Sequence, residues 1–246
     1  MPRMPWSQLP AARSRLNAIA IICVAALAAG ADAGLRADGR SSDAGPAASR
    51  FLARHDPPLR SYRCYRRLHA SSPRFGQEAW LTASTELDHG VFRYRIVNER
   101  GSEYIRKKVL RAVLDHEREL IDGGGAARGD LTRENYEFGA GGFDEDGARY
   151  VALHAKRKDV LLVNGRMVLS PDTDDLLRVE GRLSKNPSFW TSRVNIVREY
   201  GRVAGVRVPV SVTSTASIRF AGTGRLEMVY EYESVNGRPV TVAERR

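Results

Sequence analysis

The fold is decided by residues 206–220, which read VRVPVSVTSTASIRF. Apolar side chains occupy one parity of this stretch and mostly hydroxyl or arginine side chains the other, which is the pattern of a strand with one buried face. At about 3.3 Å per residue the strand would run roughly 50 Å, well beyond an ordinary strand. Such a strand is expected to curve, as strands do in barrels and half-barrels. The stretch therefore predicts a protein that encloses a ligand rather than an enzyme.

Two antiparallel meanders are predicted on either side of one long helix. In residues 102–121 apolar side chains recur every three or four positions, Ser102 suits the N-cap, and the glycines at 123–125 form the stop. Strands are predicted over 62–70, 79–87, 92–96, 150–156, 160–163, 166–169, 177–183, 194–200, 206–220 and 226–233. A short helix is expected over 49–55. The predicted class is α+β, a curved antiparallel sheet forming a half-barrel, capped by one long helix and short helices.

The connecting segments carry clear turn signals. Residues 130–147 are rich in glycine and acidic residues and are expected to form an ordered loop. Asn164-Gly165 is the strongest short hairpin signal in the sequence. The tail after Asn236-Gly237 is expected to fray.

The N-terminal residues resemble an export signal. A basic region with Arg3, Arg13 and Arg15 precedes an apolar run at 16–30 and an A-x-A site at 31–33. The apolar run is shorter than the roughly 20 residues that span a bilayer, which favours a cleaved signal over a retained membrane anchor. The predicted organisation is a signal peptide at 1–33, a flexible leader at 34–50, one half-barrel domain at 51–240 and a tail at 241–246. The expected location is the periplasm.

The composition and the charge limit the classes of binding partner that are expected. The sequence has 39 Lys and Arg residues against 29 Asp and Glu, a formal net charge of +10. An exported protein meets little nucleic acid, so no nucleic-acid partner is expected. The charge suits anionic lipid headgroups or an acidic partner, and it equally suits a soluble arginine-rich surface. Cys64 is the one cysteine left after cleavage, so it is expected to pack as a small hydrophobic residue.

Catalytic and metal-binding patterns are poor in this sequence. His116-Glu117 lacks the second histidine, one helical turn on, that a zinc-protease pair requires. The acidic runs 144–147 and 172–175 lack the calcium loop with its closing glutamate, and they are expected to be solvated turns. The sequence contains no G-x-S-x-G elbow. We therefore expect a protein that is not an enzyme and that has neither a cofactor nor a metal site.

The second meander resembles the LolA-like superfamily, which comprises the periplasmic lipoprotein-sorting carriers and the related MucB/RseB-type sensors. The residues that carry the resemblance are Asn164-Gly165, 174–181 (DDLLRVEG), 197–200 (VREY), 205–209 (GVRVP) and 230–232 (YEY). By strand order it covers roughly residues 51–240. The resemblance implies a half-barrel whose concave apolar face, capped by helices, holds the acyl chains of lipoproteins. It also implies an arginine near the lid that controls closure, for which Arg66 is the nearest candidate because its parity points inward.

The inward-facing residues are the candidate ligand-binding residues. They are Tyr62, Cys64, Arg66, Leu81, Phe92, Tyr94, Val109, Val113, Leu120, Val179, Val210, Val212, Met228 and Tyr230. Parity alone leaves open whether these side chains line a cavity or fill a solid core, and the resemblance favours the cavity. The expected function is a carrier or binder of acyl chains or lipoprotein lipid. The alternative is a sensor or interaction module that binds an envelope protein or a membrane surface.

Overall fold

The computed structural model describes residues 45–189 and 191–241. The predicted signal peptide, most of the predicted leader and residues 242–246 of the predicted tail lie outside the described residues. No helix in the described part of the chain is long and apolar enough to span a membrane.

An open antiparallel sheet of eleven strands dominates the described residues. The strands are β1 Ser61–Ser72, β2 Gln77–Asp88, β3 Val91–Gly101, β4 Tyr136–Phe143, β5 Arg149–Ala155, β6 Val163–Leu169, β7 Leu176–Leu183, β8 Thr191–Val203, β9 Val206–Ile218, β10 Gly222–Val235 and β11 Arg238–Pro239. Their order is β3-β2-β1-β10-β9-β8-β7-β6-β5-β4, and β11 pairs with β10. The sheet is not closed, because β3 and β4 are its two edges. The predicted antiparallel sheet with a long helix is confirmed at this level.

The long helix follows β3. Residues 103–122, here called α2, are α-helical at Glu103–Ile105, π-helical at Arg106–Leu110 and α-helical at Arg111–Asp122. The helix packs on β1, β2 and β3. Its buried residues are Ile105, Val109, Leu110, Val113, Leu114 and Glu117. The predicted glycine stop is present, since Gly124 has a left-handed φ of 66° that ends the helix. Ser102 makes no side-chain cap, because its Oγ hydrogen-bonds Gln77 Oε1 instead.

A short helix, α1, spans Pro46–Ala53 and starts earlier than the sequence predicts. Ala47, Ala48 and Phe51 are buried in the main hydrophobic cluster. Residues 46–50, predicted as leader, therefore belong to the folded part, because two alanines and a proline at the first turn suit a packed helix start. The helix ends at Ala53, before Pro57-Pro58.

The decisive long strand is shorter by two residues than predicted. Strand β9 ends at Ile218, and Phe220 lies in the turn with a left-handed φ of 64° and 73 % of its surface exposed. The pairing with β8 also skips Val210, since Glu199 pairs with Ser211 and Tyr200 with Pro209. A bulge of this kind bends the strand and re-aims the extra residue. Val210 accordingly is half-buried and belongs to neither hydrophobic cluster.

Three predicted turns or loops are wrong. Residues 136–143 form strand β4 inside the predicted loop, with a bulge between Phe138 and Gly141. Asn164-Gly165 lies within β6 rather than in a hairpin, because Gly165 sits opposite Gly181 of β7, where the two backbones approach too closely for a side chain. Asn236-Gly237, with φ of 48° and 76°, makes the tight hairpin instead, and the chain continues as β11 rather than fraying.

Candidate functional site

A buried arginine lies between the sheet and helix α2. The alternation of β1 puts Tyr62, Cys64, Arg66 and Leu68 on the buried face of the sheet, here called the covered face. Arg66 retains no exposed surface. Its cross-strand neighbours are Tyr230 of β10 and Ala83 of β2. The small side chain of Ala83 leaves room beside the guanidinium.

Glu117 of α2 meets Arg66 with both carboxylate oxygens. Arg66 Nη2 donates to Glu117 Oε1 at 2.9 Å, and Arg66 Nη1 donates to Glu117 Oε2. This is the planar two-point pairing that suits a guanidinium and a carboxylate. Glu117 reaches this position because it follows Val113 by four residues on the buried stripe of the helix. The pair therefore joins the helix directly to the sheet.

Aromatic rings enclose the guanidinium. Its central carbon lies 4.7 Å from the ring centre of Tyr230, 5.1 Å from that of Phe92 and 5.8 Å from that of Tyr62. The hydroxyl of Tyr62 accepts a hydrogen bond of 2.6 Å from Arg66 Nη2. Arg66 Nε has no hydrogen-bond partner among the described residues. We call Arg66, Glu117, Tyr62, Phe92 and Tyr230 the arginine box.

Burial and charge fix the protonation states in the arginine box. Burial acts to lower the pKa of Arg66, but the Glu117 carboxylate together with Tyr62 and Tyr230 more than offsets burial, and the pKa rises. Burial raises the pKa of the Tyr62 hydroxyl and raises the pKa of the nearby Cys64 thiol to about 12. The thiol therefore stays protonated and unreactive, as predicted for a packed cysteine.

The arginine box lies against two hydrophobic clusters, and its Tyr62 and Phe92 belong to the smaller one. The larger cluster contains Leu81, Val109, Val113, Val179, Val212 and Met228, with Leu120 packed against it. The smaller contains Tyr62, Cys64 and Phe92. Tyr94 and Tyr230 touch both clusters, and Tyr94 also donates a hydrogen bond to Asp115 of α2 at 2.6 Å. All the predicted site residues except Val210 thus lie in or beside these clusters.

The interior around the predicted site residues is filled. The predicted residues in the two clusters, other than the half-buried Leu120, Tyr94 and Tyr230, are at most 2 % exposed. A void large enough for water would leave part of these side chains accessible, so the helix packs directly on the sheet. A small cavity of about 20 Å³ lies at the start of the helix, against Phe75, Ile105 and Val109.

Glu117 is the functional candidate that the sequence analysis missed. The neighbouring His116 is only half-buried, and its Nδ1 lies 3.8 Å from Glu119 Oε2. The spacing of four residues from Val113 to Glu117 was the available signal. An acid on an apolar helical stripe, beneath an inward-facing arginine, predicts their pairing.

A second group of ion pairs fastens α1 to the sheet. Arg50 Nε donates to Asp174 at 2.6 Å, and Arg54 Nη1 lies 2.7 Å from Asp175. Arg202 of β8 donates to both Asp175 and Asp56 at 2.6 Å. The Arg50 guanidinium lowers the pKa of Asp174, and Arg202 lowers that of Asp175. In the acidic turn 172–175, Asp174 and Asp175 are therefore paired with arginines rather than solvated, whereas Asp172 is exposed as predicted.

Comparison of the sequence with protein-family models gives no match, and comparison with curated protein sequences gives none. Among the described residues no group of three or more His, Cys, Asp or Glu side chains is arranged to hold a metal ion.

Asp130 gives a prediction about pH. Burial raises its pKa to about 7, and its Oδ1 has no hydrogen-bond partner among the described residues. The pKa of an unfolded aspartate is about 4, so the folded protein binds an extra proton between about pH 4 and 7. The stability that protonated Asp130 contributes to the folded protein is complete below about pH 4 and is lost as the pH rises through 7.

Replacing Asp130 by asparagine is expected to raise the free energy of unfolding at pH 8 by about 2 kcal/mol and to change it little at about pH 3, since asparagine stays neutral. Urea unfolding at the two pH values measures both effects. A variant that is equally destabilised at both would contradict the assignment.

Proposed function

We propose that the protein binds acyl chains, of a free lipid or of a lipoprotein, between the sheet and helix α2, as a carrier in the periplasm. On this proposal the sheet is a half-barrel of the LolA-like superfamily, and the described form is its closed, ligand-free state. The observation that carries the proposal is the arginine box, because it places a separable ion pair at the junction between a helical cover and an apolar sheet face.

The ion pair favours a cover that can open. A buried ion pair stabilises a protein less than well-packed hydrophobic residues of similar volume, because both charges lose their hydration. If α2 moves away from the sheet, Arg66 and Glu117 regain that hydration. The free energy of opening is therefore lower than for an interface made only of apolar side chains. The pair still closes in one geometry, since it needs both partners. It therefore acts as a latch between two positions of the helix.

The helix itself has an irregular start. The π-helical turn at Arg106–Leu110 breaks the regular hydrogen-bond ladder between two α-helical parts. Such turns are rare and are frequently found at functional sites. A bend at this turn would let residues 111–122, which include Glu117, move away from the sheet while the first turn stays attached.

The surface that such a movement exposes suits an acyl chain. It joins the helix residues Val109 and Val113 with Leu81, Met228 and Val212 of the sheet, all buried and apolar. Burying a CH₂ group contributes about 0.8 kcal/mol, so a long chain would bind firmly without a catalytic group or a metal. The chain would replace the contacts that α2 makes in the closed form.

The filled interior favours a second candidate, an interaction module that keeps its core closed and binds a protein partner on its surface. The outer surface offers one open depression of about 520 Å³ along β5 to β8, lined among others by Tyr150, Arg166, Glu180 and Arg182. Binding of acyl chains separates the two candidates, because a closed module has no site for them.

Fatty acids of increasing length are expected to bind with rising affinity, because each added CH₂ buries more apolar surface. Calorimetric titration measures the trend. Val113→Trp, which puts a bulky side chain between the helix and the sheet where the acyl chain would lie, is expected to abolish binding. Val97→Trp, at a position 48 % exposed on β3, is the matched control and is expected to bind normally.

Hydrogen exchange supplies a readout that is independent of the tryptophan variant. The amides of 111–122 are expected to exchange faster than those of β1 and β2, and faster still with a bound fatty acid. Absence of binding by the unmodified protein, together with equal protection of helix and sheet, would contradict the carrier and leave the interaction module.

A further inference from the structure

A second buried arginine lies on the covered face of the sheet, three strands from Arg66. Arg198 of β8 is only 5 % exposed. Its cross-strand neighbours are Val179 of β7 and Val212 of β9, both buried and apolar. An arginine in such a row needs partners for its charge and for its N–H groups.

The partners that Arg198 has are few. A guanidinium offers five N–H donors, and Arg198 makes one hydrogen bond, from Nη1 to the Tyr200 hydroxyl at 3.4 Å. No carboxylate in the described residues lies within 4.0 Å of it, in contrast to Arg66 with Glu117. Burial acts to lower the pKa of Arg198, whereas Tyr200, Tyr230 and Tyr136 act to raise it, and it ends above its ordinary value. The group therefore keeps its charge.

Two tyrosine hydroxyls near Arg198 have unused donors. Tyr136 Oη accepts a hydrogen bond from the Val163 amide at 3.1 Å, and Tyr200 Oη accepts the one from Arg198. Within the described part of the chain neither hydroxyl donates a hydrogen bond. A largely buried cation that makes one hydrogen bond within the described residues, beside two hydroxyls that donate to no group there, is complementary to an oxyanion.

We infer that Arg198, with the hydroxyls of Tyr136 and Tyr200, binds the oxyanion head of the acyl ligand. This inference rests on the proposed function and adds that the ligand is an anionic amphiphile, with either a carboxylate or a phosphate head. Val179 and Val212, on the strands at either side, then contact the first carbons of its chain. Tyr230 connects this head site to the arginine box, since it interacts with both arginines.

Amphiphiles of equal chain length and different heads test the inference. Palmitate, hexadecyl phosphate and hexadecanol are titrated calorimetrically into the full-length protein, Arg198→Met and the control Arg93→Met, which removes an exposed arginine of β3. The unmodified protein and the control are expected to prefer the charged amphiphiles by about tenfold or more, as for hydrogen bonds to a charged group. Arg198→Met is expected to bind hexadecanol unchanged and to lose the preference. Whichever charged head binds more tightly identifies the source of the oxyanion.

Several outcomes would overturn the inference. Equal binding of charged and uncharged amphiphiles by the unmodified protein would do so, as would a preference that survives in Arg198→Met. The melting temperature without ligand is a further check, because removal of an unpaired buried charge should maintain or raise it. A large fall would mark Arg198 as a paired structural residue. Acetate and inorganic phosphate are titrated as well: binding of these ions alone, lost in Arg198→Met, would retain the anion site and reject the acyl carrier, and no binding of any kind would reject both.

Discussion

Replacing either partner of the Arg66–Glu117 pair by leucine is expected to lower the free energy of unfolding by about 3 to 5 kcal/mol, whereas replacing both is expected to change it by no more than about 1 kcal/mol. Each single variant leaves one charge buried in the arginine box, where the Tyr62 hydroxyl and the surrounding rings only partly compensate an unpaired Arg66. The double variant replaces the pair by apolar side chains. Urea unfolding followed by circular dichroism gives the three values and the interaction energy between the sites.

A surface ion pair supplies the control for this double-mutant cycle. Lys107 and Glu103 lie 2.5 Å apart on α2, and both side chains are mostly exposed. Lys107→Ala should leave the unfolding midpoint unchanged, because exposed pairs contribute little. If the losses of the two single leucine variants simply add in the double variant, the side chains act independently and the latch proposal fails.

Alanine at Gly165 or Gly181 is expected to lower the free energy of unfolding by about 3 kcal/mol or more, at the upper end for overpacked sites. A Cβ on Gly165 would lie 2.6 Å from the Gly181 Cα and nearer still to the Glu180 carbonyl oxygen. A Cβ on Gly181 would lie 2.6 Å from the Gly165 Cα. These neighbours are backbone atoms, so no rotamer change relieves the contact and β6 must move away from β7.

Gly45 provides the matched glycine. A Cβ there meets no atom within 4 Å, and Gly45→Ala is expected to lower stability by no more than about 1 kcal/mol, the cost of alanine at the N-cap of α1. Chemical denaturation of the three variants measures the difference. Normal stability of Gly165→Ala would show that the two strands separate at little cost.

The same glycine pair explains where the sequence analysis went wrong. Asn-Gly occurs twice in the chain, and local turn chemistry is equally good at both places. At 236–237 both residues have positive φ and make a hairpin. At 164–165 the close approach of β6 and β7 requires glycine, and the pair lies within a strand instead. That need depends on Gly181, sixteen residues away, and a local signal cannot report it. The glycine-rich strand β4 was not predicted for a related reason, because its pairing with β5 and not its composition makes it a strand.

The covered face was more predictable than the contacts made on it. Period-two alternation identified the inward parity of β1, including Arg66, and period-3.6 spacing identified the helix. Both patterns follow from backbone geometry alone. The pairing of Arg66 with Glu117 and the position of Arg198 between two valines depend on how helix and strands are stacked. Those relations join residues far apart in the chain, so parity could not supply them.

The two edges of the sheet bear on how the molecule behaves at high concentration. An exposed strand edge invites the addition of a strand from another copy, and proteins discourage this with charges and bulges. Strand β3 carries the exposed Arg93, Arg95 and Arg100, which would face like charges on an approaching copy. Strand β4 is interrupted by its bulge between Phe138 and Gly141. Both edges therefore oppose the addition of strands from other copies. The sheet can remain open without assembling into a polymer.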